Sequence, residues 1–256
     1  MMKTILEARN INKTYAQDKN NNIQVLQDVS LQVERGEFVA IMGPSGSGKT
    51  TLLYAISGMD RPTSGLVQLD EKELTTLSED ELAALRLRRM GFIFQQSNLL
   101  KNLCILDNIV LPGYKANKES QDVICSRGEE LLMQTGISNI AKNSITQASG
   151  GQLQRAAICR ALINRPDILF GDEPTGALNS SATAEVLDIL ASINATGTTV
   201  VLVTHDAKVA ARADRVLFMM DGHIAGEYPQ EKYDPEKQDW KAREEVLSVW
   251  LSKMGF

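Results

Sequence analysis

Residues Gly43-Pro44-Ser45-Gly46-Ser47-Gly48-Lys49-Thr50 follow the spacing G-x-x-x-x-G-K-[ST], and each fixed position has a chemical reason. The glycines let the backbone turn tightly enough to aim successive N–H groups at phosphate oxygens, and the start of a following helix adds partial positive charge. Lys49 then meets the β- and γ-phosphates, and the Thr50 hydroxyl ligates Mg²⁺. A second constellation is Ile168-Leu169-Phe170-Gly171-Asp172-Glu173, an apolar strand delivering two acids at its C-terminal end, where α/β sheets place ligand chemistry. Asp172 is read as holding Mg²⁺ through its water shell, and Glu173 as accepting a proton from, or orienting, an attacking water. A third is Ser149-Gly150-Gly151 at the start of a helix, where free N–H groups and a hydroxyl converge into another anion site.

The elements around these residues suit the task. Phe38 to Met42 is a continuous apolar run ending at Gly43, as expected of a strand buried on both faces of a parallel sheet. Thr50 to Ser57 reads as a helix closed by Gly58, with Pro62 beyond. Upstream, Ile23 to Leu26 and Val29 to Val33 alternate as small antiparallel strands, with Asn20-Asn21-Asn22 as a loop. Residues from about Thr75 to Arg165 read as mainly helical. Strand-like runs return at Ile168 to Gly171 and Thr199 to Val203, separated by a helix whose Val186, Ile189, Leu190 and Ile193 share one face. Val216 to Met220, Asp221-Gly222 and His223 to Glu227 form a hairpin signal.

The 256 residues are 43% hydrophobic, enough for a substantial core, and the formal net charge of −5 argues against broad attraction to nucleic acid or an anionic membrane surface. Cys104, Cys125 and Cys159 are odd in number and lack a CxxC pair, so neither a disulfide framework nor a zinc site is expected. Met1 to Asn10 has no apolar core of a secretory signal, and no apolar run approaches the ~20 residues of a membrane helix. Work on a membrane is therefore expected to pass through another chain.

Ala148-Ser149-Gly150-Gly151-Gln152, followed by Leu153-Gln154-Arg155-Ala156, resembles the signature motif of ATP-binding cassette (ABC) proteins, usually spelled LSGGQ. The resemblance extends to about Glu227. It implies an α/β fold: a P-loop NTPase core with a mainly parallel sheet, an N-terminal antiparallel β subdomain and an inserted helical subdomain at about 75–165. Beyond the reach of the resemblance, residues 228–256 are read as a C-terminal helical extension.

The resemblance also implies that the phosphate loop of one copy and the signature of another enclose the same ATP, so the chain is expected to form a homodimer through ATP. Catalytic residues are then Glu173, His205 and Gln95. The nucleotide-binding set is Tyr15, Gly43, Ser45, Gly46, Ser47, Gly48, Lys49, Thr50, Thr51, Ser149, Gly150, Gly151 and Gln152. Thr50, Gln95 and Asp172 hold the Mg²⁺. Tyr15 matches the aromatic that stacks on adenine, though a tyrosine capping the small sheet is the competing reading. Gln95 matches the family glutamine that reaches Mg²⁺ and the water, with Gln96 as the alternative register. His205 matches the histidine that contacts the γ-phosphate.

Two departures stand out. Ala148 replaces the usual leucine of the signature, and Asn179, in Gly176-Ala177-Leu178-Asn179, stands where an aspartate contacts the opposing subunit. Leu77 to Arg86, leading into Arg88 to Gln95, resembles ATPases of macrolide exporters, lipoprotein-releasing complexes and bacitracin-type peptide resistance transporters. The same stretch is also an acidic-to-basic helix complementing its dipole. Glu173 to Ser180 resembles the peptide-resistance members, which favours that branch. The expectation is a cytoplasmic ATPase, peripheral on the inner face of the membrane, driving an integral-membrane permease and binding no nucleic acid. The rivals are a soluble cassette acting on DNA or ribosomes and a small P-loop kinase. The first normally carries coiled coils or a second cassette, and the second lacks a signature. In the tail, Trp240, Leu247, Trp250, Leu251 and Met254 sit at helical spacing, as a helix docked on the chain itself or as a partner-binding element.

Overall fold

The computed structural model describes residues 3–18, 21–234, 237 and 239–256. Met1, Met2, Asn20 of the expected Asn20-Asn21-Asn22 loop, and Gln238 in the tail lie outside them. Contacts divide the chain into two units, Met1–Leu82 with Ala191–Phe256, and Ala83–Leu190.

The first unit opens on β1 (Thr4–Asp18), paired antiparallel with β2 (Asn21–Glu34). Ile23 to Leu26 and Val29 to Val33 therefore form one strand rather than two, and Asn21 and Asn22 belong to it. The break that looked like a strand end is a register shift at Asp28, whose φ is 49°. Asn12 accepts its backbone N–H at 3.1 Å, and the Asn10 amide donates to its carboxylate at 2.6 Å. Side chains of turn-forming type thus satisfy a bulge inside a continuous ladder. β4 (Ser64–Leu69) lies on the other side of β1, with β5 (Lys72–Glu73) outside it, giving the order β2-β1-β4-β5.

The same unit holds β3 (Phe38–Met42), all five residues buried, with β8 (Thr199–Val203) and β9 (Arg215–Met220) parallel to it on either side. β10 (His223–Pro229) runs antiparallel to β9. The Asp221-Gly222 turn between them has φ 47° and 80°, the pair of positive values a tight hairpin turn needs. α1 (Lys49–Ile56) ends at Ser57 with Gly58 at φ 66°, and α7 (Ala207–Ala210) follows β8. The tail helix α8 (Trp240–Lys253) is docked on its own unit. Leu247 and Leu251 are buried, Trp250 stacks on Tyr228 at 5.2 Å, and Arg243 donates to the carbonyls of Ala211 and Ala213 at 2.6 and 2.7 Å.

α2 (Glu79–Arg89) crosses from the first unit into the second. Next comes β6 (Met90–Phe94), parallel to β7 (Ile168–Asp172), so the stretch read as mainly helical contains a strand. A five-residue apolar run is ambiguous by periodicity alone. Its Gly91 is the tertiary clue, because a Cβ there would sit 2.3 Å from the Leu169 side chain and 2.7 Å from the Ala161 carbonyl. α3 (Ile105–Ala116), α4 (Gln121–Gln134) and α5 (Gly150–Leu162) share a core that includes Ile105, Ile109, Ile124, Leu132, Ala156 and Ile163. Ala148 packs half-buried against it. α6 (Ser180–Ala195) buries Val186, Leu187, Leu190 and Ala191, whereas Ile189 and Ile193 are only half-buried. The buried face is therefore rotated from the one expected. Among the described residues no helix is long and apolar enough to cross a membrane, and the three cysteines are unpaired.

Candidate active site

In the first unit the buried strand β3 runs straight into the glycine loop. Gly43 has φ 147°, and a Cβ on it would lie 2.1 Å from the Met219 carbonyl, so only glycine lets β9 pass beneath the loop. Gly48 has φ 97°, and a Cβ there would meet the Val25 carbonyl of β2 at 2.9 Å. The hairpin turn closes the third side: the Gly222 N–H donates to the Ser47 carbonyl at 3.2 Å, and the Gln27 N–H donates to the Gly222 carbonyl at 3.0 Å. The loop is thus shaped by backbone from β2, β9 and the β9–β10 turn.

Two features of that loop point to an anion. α1 begins at Gly48 with no side-chain cap, leaving its first amides to an outside acceptor. The Ser47 hydroxyl is buried and has no hydrogen-bond partner, an expense that an incoming oxygen removes. The Lys49 ammonium donates to the carbonyls of Gly43 and Pro44, both at 2.9 Å, which arches it over the loop. His205 comes from the neighbouring strand. Ile41 of β3 pairs with Val203 of β8, so Gly43 and His205 each lie two residues beyond the same rung. His205 is exposed, and Asp206 after it caps α7 by accepting the Lys208 N–H at 2.8 Å.

Tyr15 lies on β1 with its side chain held. Its hydroxyl donates to Asp60 at 2.6 Å, and the Lys13 ammonium sits 4.7 Å from its ring centroid while donating to Asp60 at 2.7 Å and the Arg61 carbonyl at 2.6 Å. Burial, reinforced by the hydrogen bond to Asp60 and its charge, pushes the Tyr15 phenol up to about 12, and Thr51 is a further hydrogen-bond neighbour. Burial alone raises Asp60, but the donors Lys13 and Tyr15 together hold its carboxyl below the usual range. At 43% exposure Tyr15 is anchored at its rim and open elsewhere.

In the second unit β7 ends at Asp172, and Glu173 follows with φ 47°, a left-handed conformation that a non-glycine residue adopts only where its surroundings require it. Phe94 of β6 pairs with Asp172 of β7, so Gln95 and Glu173 each lie one residue beyond a shared rung. Both side chains reach the space over Gly176. A Cβ there would sit 3.0 Å from Gln95 Nε2 and 3.3 Å from Glu173 Oε2. At the start of α5, Ser149 forms a capping box: its hydroxyl accepts the Gln152 N–H at 3.3 Å, and its own N–H donates to the Gln152 side chain at 2.9 Å. Gly150 and Gly151 begin the helix with amides that have no intrahelical acceptor. A Cβ on Gly151 would press on the Ala182 methyl at 2.8 Å, so α5 and α6 approach closely there. Asn179 caps α6 by accepting the Ala182 N–H at 2.9 Å.

Residues 26–176 match the family profile described as ABC transporter. The chain belongs to the ABC transporter family. It is 43% identical over 226 residues to the lipoprotein-releasing system ATP-binding protein LolD of Aquifex aeolicus, covering 88% of this chain and 98% of LolD. It is also 43% identical over 220 residues to the macrolide export ATP-binding/permease protein MacB of Mannheimia succiniciproducens, over 86% of this chain but 34% of MacB. The chain therefore spans about a third of the length of the MacB relatives it matches. Its fold is that of an ABC cassette. A dimeric post-hydrolysis state of the cassette MJ0796 bound to ADP and Pi superposes with a TM-score of 0.82 at 38% identity, covering 89% of this chain and all of that one.

This ABC cassette carries supporting residues that sequence reasoning missed. Gln154, buried in α5, donates to the Phe94 carbonyl at 2.9 Å, and Arg160 donates to the carbonyls of Ser97 and Asn98, both at 2.7 Å. The signature helix thereby holds the first part of the loop that begins at Gln95. Lys13 and Asp60 were likewise overlooked beside Tyr15. The signature spelling includes Gln154, but nothing local ties it to a strand sixty residues earlier in the chain.

Proposed function

We propose that this chain binds and hydrolyses ATP between two of its own copies and drives a separate membrane permease. One observation carries the reading: an uncapped, glycine-shaped helix start with an orphaned buried hydroxyl, and a second glycine-rich helix start, occur in one chain. Burying a triphosphate between opposed helix N-termini and Lys49 stabilises a closed dimer, and loss of the γ-phosphate removes the link. Tyr15 stacks on adenine. Lys49 and the loop amides hold the β- and γ-phosphates, with Ser45, Gly46, Ser47 and Thr51 completing the cradle. Ser149, Gly150, Gly151 and Gln152 of the other copy close on the γ-phosphate. Glu173 takes the proton of the attacking water, Gln95 orients that water, and His205 contacts the γ-phosphate.

Mg²⁺ fits the donors present. The proposed donors are a hydroxyl, a side-chain amide and a carboxylate, hard oxygen ligands that suit an ion which keeps much of its water and binds mainly to substrate phosphates. Thr50, Gln95 and Asp172 would hold it, and it would neutralise charge on the β- and γ-oxygens.

The names of the relatives, lipoprotein release and macrolide export, support work at the inner face of a membrane through a permease. Residues 77–95 and 173–180 add the peptide-resistance reading, so the cargo belongs to this export group and is selected by the permease. A mixing experiment tests the shared site. Lys49→Ala and Ser149→Arg chains are each expected to be inactive alone and to regain hydrolysis when mixed, because one composite site is then intact. A mixture that stays inactive although both chains still bind each other counts against the proposal.

A further inference from the structure

The second unit has a half-open pocket of about 190 Å³ whose lining includes Arg88, Lys118, Glu119, Arg127, Asn164 and Arg165. Four of these are cations and one is an acid, in a chain whose net charge is −5. Arg127 is the buried member, its side chain 9% exposed. One terminal nitrogen donates to the Ile163 carbonyl at 2.7 Å and the other to Glu119, while Nε is buried with no partner. Arg88, Lys118 and Arg165 make no ion pair among the described residues. The Glu119 carboxyl is held below its usual range by the hydrogen bond from Arg127 and further by the charges of Arg127, Arg165 and Lys118, so these cations direct their fields at one place.

Cations near helix C-termini complement the helix dipole, and Arg88, in the last turn of α2, does so. That accounts for a sign of charge. It does not account for a buried guanidinium nitrogen without an acceptor, nor for the gathering of three exposed cations around the same opening. Asn164 adds a reason for the cavity to hold its shape, since its amide donates to the carbonyls of Leu87 and Pro112 at 2.8 and 3.1 Å and pins α2 and α3 together.

We propose that this cavity binds a phosphoryl group, a compact dianion, at residues none of which belongs to the nucleotide site. Guanidinium groups match phosphate oxygens in geometry and in charge-assisted hydrogen bonding. Four cations against one acid favour a dianion over a carboxylate. Glu119, 37% exposed on the segment between α3 and α4, occupies one nitrogen of Arg127 and yields it as the dianion enters. The group reaches the cavity either as free phosphate or a soluble phosphomonoester, or as the headgroup of a phosphomonoester lipid.

The test uses the full chain with Lys49→Ala, so that phosphate at the glycine loop does not contribute, with and without Arg88→Gln and Arg165→Gln at two exposed positions. Inorganic phosphate is titrated at ionic strength matched with sodium chloride, following the Arg127 Nε–H signal by NMR. Flotation with phosphatidylcholine vesicles containing or lacking phosphatidic acid forms the second arm. A saturating shift of the Arg127 signal, weakened about tenfold or more by the double substitution, supports the soluble source. Retention on phosphatidic acid vesicles that the double substitution abolishes supports the lipid source. If neither probe distinguishes the two folded chains, or if chloride reproduces the phosphate response, the cavity is no phosphoryl site and the proposal is overturned. The outcome is independent of ATP hydrolysis, so it stands or falls apart from the function proposed above.

Discussion

Glu173→Gln isolates the proposed base from everything else at that position. Glu173 holds φ 47°, where a residue other than glycine costs about 1–2 kcal/mol. Glutamine has the same shape and carries the same cost, so stability should stay within about 0.5 kcal/mol of the parent. Oε2 sits 3.3 Å from the place where a Cβ on Gly176 would stand, and Gln95 Nε2 3.0 Å from it, leaving an isosteric amide room beside Gln95. What disappears is the proton acceptor, which contributes ~10²- to 10⁴-fold, or about 2.7–5.4 kcal/mol on the barrier. Phosphate release at saturating MgATP should fall by that factor. Sedimentation with ATP should show dimer accumulating, because the link between copies is no longer cut. Glu173→Gly is the control: relief of the left-handed strain matches or exceeds the added chain entropy of ~0.5–1 kcal/mol, so the melting temperature should hold or rise by up to a few degrees while hydrolysis is equally slow. A Glu173→Gln chain that hydrolyses at the parental rate would refute the base assignment, and so would one whose slow hydrolysis comes with a melting point lowered by several degrees.

Three further outcomes are expected. Ser149→Ala removes the hydroxyl that accepts the Gln152 N–H, which should cost about 1 kcal/mol in thermal unfolding and weaken ATP-driven dimerisation; an unchanged melting curve contradicts the capping argument. Tyr15 ionises in the folded chain at about 12 against an ordinary 10.0, so its stabilising contribution is complete below pH 10 and is lost as pH rises through about 12. In Asp60→Asn the phenolate absorbance of Tyr15 should appear at lower pH, though burial keeps it above the ordinary value; an unmoved titration removes Asp60 from the account. Arg160→Ala frees the carbonyls of Ser97 and Asn98, and the loosened Gln95 loop should slow hydrolysis by about ten- to a hundredfold while ATP binding, measured by calorimetry, stays intact. Equal losses in binding and rate would place Arg160 in general folding instead.

The residues proposed to carry chemistry were legible because their signals are local. The glycine loop, the acids after an apolar strand, and the Asp221-Gly222 turn each need particular residue types within a few positions, and the backbone there has the conformations those types allow. The antiparallel and parallel sheets followed from alternation and from continuous apolar runs. The misreadings share a different cause. β6 was hidden because five apolar residues between helices carry no period of their own, and its identity as a strand comes from β7, more than seventy residues later. β2 seemed broken because Asp28 looks like punctuation, yet its bulge is satisfied by Asn10 and Asn12 on the opposite strand. The face of α6 was misjudged because Val186 and Leu187 are both buried, so its apolar stripe runs one residue off the simple pattern. Gln154, Arg160, Lys13 and Asp60 escaped notice because long-range hydrogen bonds leave no trace in neighbouring sequence.

The position of the β9–β10 turn against the glycine loop also sets an order in time. During synthesis Gly43 to Thr50 leaves the ribosome early, but the Gly222 amide that takes the Ser47 carbonyl, and the Met219 backbone that passes under Gly43, are made some 170 residues later. A nascent chain thus spells the motif in full well before it possesses the motif's shape. The loop is therefore complete only when the last strands of the first unit have docked.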